Sequence, residues 1–146
     1  MPDDNGPDNG YAGDLSPEDA WRLLEKEPDA QLVDVRTDAE WKYVGTPDLS
    51  GVGKEPLLVP WKLFPEMEQN ETFVEAVEAA GIGPDDTILL ICRSGQRSAS
   101  AAAALTERGF RRCYNVAEGF EGDKDDEGHR GIMGGWKVRG LPWAQD

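Results

Sequence analysis

The segment Thr87-Ile88-Leu89-Leu90-Ile91-Cys92-Arg93-Ser94-Gly95-Gln96-Arg97-Ser98 sets the fold of this chain. Its first five residues are apolar or β-branched, with no alternation of polar positions. A strand of that kind is buried on both faces, as central strands of parallel sheets are. The run stops at Cys92, a short polar loop follows, and an alanine-rich helix starts at about Ser98 and closes at Gly109. In a parallel sheet that order places Cys92 at the carboxyl edge of a central strand, where ligands bind in open α/β folds.

The flanking sequence repeats the pattern. Toward the N-terminus, Ser16-Pro17-Glu18-Asp19 has a hydroxyl cap, a proline at the first helical position and acids in the first turn. Ala20, Leu23 and Leu24 follow at helical spacing and Pro28 ends the helix. Gln31 to Val35 reads as a strand, Thr37 to Trp41 as a short helix capped by Thr37, and Gly45 to Pro56 as a loop rich in turn formers. Leu57-Leu58-Val59 is a candidate strand, and Phe73, Val74, Ala76, Val77 and Ala80 mark a helix stopped at Gly81. Toward the C-terminus, Cys113 to Val116 reads as another strand. Gly119 to Gly135 is a long glycine- and acid-rich loop, and Gly135 to Leu141 has room for a last helical turn. Strands alternating with helices predict a layered α/β domain with a mainly parallel sheet.

The chain's 146 residues suit one domain, residues 15–146, preceded by a flexible acidic leader at 1–14 with four aspartates and no Lys or Arg. Fifteen Lys and Arg against 29 Asp and Glu give a net charge of −14. That balance argues against nucleic acid and anionic membranes as partners. Two cysteines and one histidine rule out a disulfide scaffold or a zinc finger. No apolar run is long enough to span a membrane, and the acidic start is not a signal peptide, so a cytoplasmic location is expected.

The chemistry sits in the segment quoted first. A loop leading into a helix offers successive backbone N–H groups, an anion cradle. Gly95 permits a backbone turn that other residues resist. Arg93 and Arg97 add positive charge. These features favour thiolate over thiol at Cys92: free cysteine titrates at about 8.5, and helix N-termini and cations lower that to roughly 3.5–7.5. The alternative is a small core residue that ends a strand. His129 lies in the acidic loop, and no base stands beside Cys92 in the sequence, which disfavours a cysteine–histidine hydrolase. Sulfur transfer needs only a nucleophile and a cradle, since both of its steps are displacements at sulfur.

Four pieces of the chain, in order, resemble single-domain rhodaneses, which are sulfurtransferases. They are Asp34-Val35-Arg36 with Glu40-Trp41; Cys92 to Ser98; Asn115 to Gly122; and Gly135-Trp136-Lys137 to Gly140-Leu141-Pro142-Trp143. The resemblance implies a three-layer α/β/α domain with a five-stranded, mainly parallel sheet. It implies that Cys92 carries a persulfide inside the loop of Arg93, Ser94, Gly95, Gln96, Arg97 and Ser98, and that sulfur moves from thiosulfate or a related donor anion to cyanide or a thiol, a protein thiol included. Related phosphatases and arsenate reductases place five residues between Cys and Arg; here four intervene, a smaller cradle suited to sulfur. The remaining alternative is a low-turnover persulfide carrier or anion sensor. The chain departs from the family at Val44 to Leu49 and at an acidic insertion around 121–134.

Asp34, Arg36 and Glu40 are candidate supports. Arg36 either contacts substrate or pairs with Glu40 while Asp34 holds a turn. Cys113 is read as structural. The five tryptophans are read as anchors, with Trp61 and Trp136 as candidates to line a pocket. The acids of 121–127 lack EF-hand spacing, so neither metal nor cofactor is expected.

Overall fold

The computed structural model describes residues 10–63, 66, 68–122, 126 and 134–144. In chain order the elements are β1 (Gly13–Leu15), α1 (Pro17–Lys26), β2 (Gln31–Asp34), α2 (Asp38–Tyr43), β3 (Thr46–Pro47), β4 (Leu57–Leu58), β5 (Lys62–Leu63), β6 (Glu68–Gln69), α3 (Phe73–Ala79), β7 (Thr87–Ile91), α4 (Gln96–Arg108), β8 (Arg112–Val116) and β9 (Trp143–Ala144). Five of these strands form one parallel sheet in the order β1-β8-β7-β2-β4, with β7 at its centre. Short antiparallel pairs β3–β9 and β5–β6 lie outside it.

The unbroken apolar run of β7 follows from that central place, because every residue from Thr87 to Ile91 is buried. Alternate side chains enter different cores. Ile88, Leu90 and Cys92 join Val33, Val35, Phe73, Val77, Ala101, Ala102 and Leu105 on the α3–α4 side. Leu89 and Ile91 join Ala20, Leu24, Leu32, Phe120 and Trp136 on the α1 side. The layers are therefore helix, sheet, helix, and Cys92 ends its strand facing the α3–α4 layer.

The caps at Ser16 and Thr37 act as read, and Glu40 adds a return bond. Ser16 caps α1 by accepting from the Asp19 amide, and Thr37 and Glu40 form a reciprocal capping box on α2. Two details differ. Helix α4 begins at Gln96, two residues before the expected start, because Gly95 takes a left-handed φ of 107° and turns the chain at once. The chain also enters the sheet earlier than residue 15: Gly13–Leu15 pairs with Tyr114–Val116 and Tyr11 is buried. The rest of the expected leader, residues 1–9, lies outside the described residues.

The acidic insertion, like His129, falls mostly outside the described residues, but its two ends meet. A side chain on Gly122 would run into the Gly134 carbonyl, and one on Gly135 would lie 2.6 Å from the Gly122 nitrogen. Trp136 then donates its backbone N–H to the Gly119 carbonyl at 2.9 Å and resumes the frame.

Candidate functional site

Cys92 follows the last residue of β7 and is 1 % exposed. The loop after it is held by its carbonyls. The Cys92 carbonyl accepts from the Phe120 amide at 2.8 Å, and the Arg93 carbonyl accepts from Glu121 and Gly122 at 3.0 and 3.1 Å. The Gly95 carbonyl accepts from the Ala99 amide and from Asn115 Nδ2. With these carbonyls engaged by the surrounding frame, the Gly95 N–H turns toward the cysteine and donates to Cys92 Sγ at 3.1 Å. The first-turn amides of α4 add donors that an α-helix leaves without intrahelical partners. The Gly119 turn closes so tightly on Cys92 and Arg93 that a Cβ at Gly119 would sit 2.6 Å from their backbone atoms.

Ser98, expected only as the last loop residue, lies in the first turn of α4 and is fully buried. Its Oγ is 3.3 Å from Cys92 Sγ and 2.5 Å from Asn115 Oδ1. Arg93 is exposed at the loop's start, Ser94 half-buried and Gln96 exposed.

The pairing of the support residues differs from expectation. Arg36 does not pair with Glu40. It pairs with Asp34: Nε lies 2.9 Å from Oδ1 and Nη2 lies 2.7 Å from Oδ2, both side chains being fully buried. Nη2 also donates to the Gly45 carbonyl at 2.7 Å, and the guanidinium lies 4.2 Å above the Phe120 ring. The reason is local geometry. Asp34 also accepts from the Arg36 amide, a turn that folds the arginine back over the strand end. Asp34 thus holds the turn expected of it, and Arg36 braces the segment that anchors the Cys92 carbonyl.

Glu40 pairs instead with Arg97, in a two-pronged contact of 2.7 and 2.9 Å. This ties α2 to the first turn of α4. Burial pushes the Glu40 carboxyl up, but hydrogen bonds and charge from Arg97, with Thr37, outweigh it and hold Glu40 at about 2. Burial pulls the Arg97 guanidinium down, while Glu40, and after it the charge of a Cys92 thiolate, raise it. A depressed carboxylate adds stability above its unfolded value of 4.5 and loses it as pH falls toward 2. Glu40→Gln is therefore expected to cost about 3 kcal/mol at neutral pH. It should also flatten the loss of stability in that acid window, measured by urea unfolding at a series of pH values.

Cys113 is buried, and burial pushes its thiol up to about 11, so at neutral pH it is a protonated core residue. Cys92 and Cys113 are both unbridged. Trp136 is fully buried, edge-on to Trp21, with its indole N–H on the Pro142 carbonyl, so it anchors the core rather than lining a pocket. Trp61 packs edge-on against Phe73 in the same core as Cys92. Asn115 opens the Asn115 to Gly122 motif without a sequence signal for its role; only the folded register of β8 brings it to Ser98. Among the described residues, no His, Cys, Asp and Glu cluster is arranged to hold a metal ion.

A glycine-turned cradle around a buried thiol, at the carboxyl edge of a five-stranded parallel sheet, defines a cysteine-loop α/β domain of the rhodanese-like class. The family model described as STR4 middle domain matches residues 12–146, and the chain belongs to that rhodanese-like family. The solved structure of Rv0390 from M. tuberculosis is 46 % identical, covers 93 % of this chain and 99 % of its own, and superposes with a TM-score of 0.85. The polysulfide-sulfur transferase homodimer of Wolinella succinogenes is 26 % identical, with 94 % and 80 % covered and a TM-score of 0.61. Among curated sequences, the uncharacterized protein RP600 homolog of Rickettsia rickettsii is 38 % identical over 85 % of this chain and 90 % of its own. The chloroplastic protein THYLAKOID RHODANESE-LIKE of Oryza sativa subsp. indica is 30 % identical over 90 % of this chain and 25 % of its own. No helix among the described residues is long and apolar enough to cross a membrane.

Proposed function

We propose that this protein is a sulfurtransferase that carries sulfane sulfur on Cys92. The observation that carries the reading is the Gly95 amide donating to a buried strand-end sulfur at 3.1 Å, inside a loop of six residues from Cys92 to Arg97. The family membership and the sulfur-transferring Wolinella relative support it. In the first step the Cys92 thiolate attacks the outer sulfur of thiosulfate or a related persulfide. A bond forms between Cys92 Sγ and that sulfur, the donor's S–S bond breaks, and the leaving anion (sulfite, from thiosulfate) takes the electron pair. In the second step cyanide or a thiolate attacks the outer sulfur of the Cys92 persulfide, and the Cys92 thiolate leaves. Arg93 and the bound pair Arg97–Glu40 set the charge of the rim that meets the donor anion. The buried Asp34–Arg36 pair supports the loop from beneath rather than touching substrate. Acceptors are small thiophiles or a protein thiol, and the setting is the cytoplasm, where thiols stay reduced.

On incubation with thiosulfate, the intact protein is expected to gain the mass of one sulfur atom, and cyanide or dithiothreitol should remove it. Cys92→Ser should gain none. Failure of thiosulfate, polysulfide and glutathione persulfide alike to load the protein overturns the proposal. Loading without turnover to cyanide assigns the low-turnover carrier instead, and hydrolysis of an aryl phosphate lost in Cys92→Ser assigns a phosphatase.

A further inference from the structure

Asn115 lies on β8, outside the cysteine loop, and is 4 % exposed. Its Nδ2 donates to two acceptor oxygens: Asp14 Oδ1 at 3.0 Å and the Gly95 carbonyl at 3.1 Å. The reverse orientation of the amide would crowd three acceptors together, so this one is fixed. Asn115 Oδ1 must then receive a proton, and its partner is Ser98 Oγ at 2.5 Å. A serine hydroxyl has one proton to give. The same Oγ lies 3.3 Å from Cys92 Sγ, and the proton cannot serve both neighbours. While Asn115 holds it, Ser98 presents lone pairs to the sulfur. Lone pairs accept a thiol S–H and give nothing to a thiolate.

We infer that Asn115, locked by Asp14, is a positioning residue that withholds the Ser98 proton from Cys92 and keeps the ionised sulfur a strong nucleophile. The reason is general: each added hydrogen bond to a thiolate stabilises it and weakens its attack, since nucleophilicity falls with basicity. The Gly95 amide already supplies one such bond. A second from Ser98 would favour ionisation and slow displacement. The arrangement reaches the edge of the sheet, because Asp14 on β1 also accepts from the Tyr11 hydroxyl at 2.8 Å. The inference concerns Cys92 as the reacting sulfur, as in the proposed function, but its test uses no sulfane donor.

Among the described residues, the charged and titratable groups on the elements packed about Cys92 are Arg93 and Arg97 of the loop and α4, Glu40 of α2, Asp34 of β2 with Arg36 after it, Cys113 of β8, and Asp14 of β1 with Tyr11 before it. A double-mutant cycle keeps all but the chosen pair constant. Thiolate absorbance is titrated in wild type, Asn115→Leu, Ser98→Ala and the double variant, each measured against the same protein carrying Cys92→Ser. Cys113, at about 11, and Tyr11, at about 12, stay silent in the working range. Asn115→Leu frees the Ser98 proton for the sulfur. It is expected to lower the Cys92 midpoint by about one pH unit and to slow the ionised thiol about threefold toward methyl methanethiosulfonate. In the Ser98→Ala background both effects should vanish. Asp14→Ala, an exposed change on the edge strand, should move the midpoint the same way to a smaller extent, and again only when Ser98 is present. If Asn115→Leu fails to fold, the Asp14→Ala pair decides. An unmoved midpoint, or the same movement without Ser98, overturns the inference, and neither result bears on whether thiosulfate loads Cys92.

Discussion

Gly95→Ala is expected to leave Cys92 in place yet slow its sulfur loading by at least about 100-fold, the scale on which one preorganised donor to a developing anion acts. Three causes meet at this residue. Its φ of 107° is outside what an alanine adopts without strain, and a Cβ there would overlap the Ala117 carbonyl. Relief of that overlap must move the backbone whose N–H reaches Cys92 Sγ at 3.1 Å. It must also move the Gly95 carbonyl, on which Asn115 and the Ala99 amide both rest. The measurement is the loading rate by intact mass, beside the melting temperature. Gly53→Ala is the matched control: its φ is 71°, but nothing lies within 4 Å of its Cβ position, so it should lose a little stability and no loading. A Gly95→Ala protein that loads at the native rate would remove the loop amide from the mechanism.

The second large effect is on stability. Arg36→Met is expected to lower the unfolding free energy by about 3–5 kcal/mol, because it leaves the Asp34 carboxylate buried without its partner. Asp34 and Arg36 are both fully buried, so no water replaces the lost contact. The Gly45 carbonyl and the face of Phe120 lose the same guanidinium. Phe120 donates the amide that fixes the Cys92 carbonyl, so loading should fall along with stability. The companion variant Asp34→Leu/Arg36→Met removes both charges, and replacement of a buried pair by apolar groups is often neutral. It should recover much of the loss in urea unfolding. A single Arg36→Met variant within about 1 kcal/mol of the wild type would show that the pair is not the brace it resembles.

What the sequence shows directly are the features written in short spans. The apolar run of β7, the Thr37 cap of α2 and the turn at Gly95 are all local, and each forms as read; the return bond from Glu40 that completes the capping box is seen only in the structure. Strand β1 was not legible, because Gly13-Asp14-Leu15 has one apolar side chain and sits in an acid-rich stretch; only pairing with β8 makes it a strand. The ion pairs were not legible either. Glu40 and Arg97 are 57 positions apart, and nothing in the spacing of either says that α2 and α4 will bring them together. For Arg36 the spacing offers Glu40 as partner, while the actual choice is made by a turn at Asp34. Asn115 is the clearest case: a motif residue with no role evident in the sequence gains its partners from a neighbour 17 positions away and another 101 positions away.

The abutting ends at Gly122 and Gly134 make residue number between them a free variable of this scaffold. When the ends of a loop already meet, its closure entropy grows only slowly with the number of residues between them. A change in the number of residues between those two glycines is therefore expected to leave in place the turn at Gly119 that packs against Cys92 and Arg93, which makes this the natural graft point for new sequence.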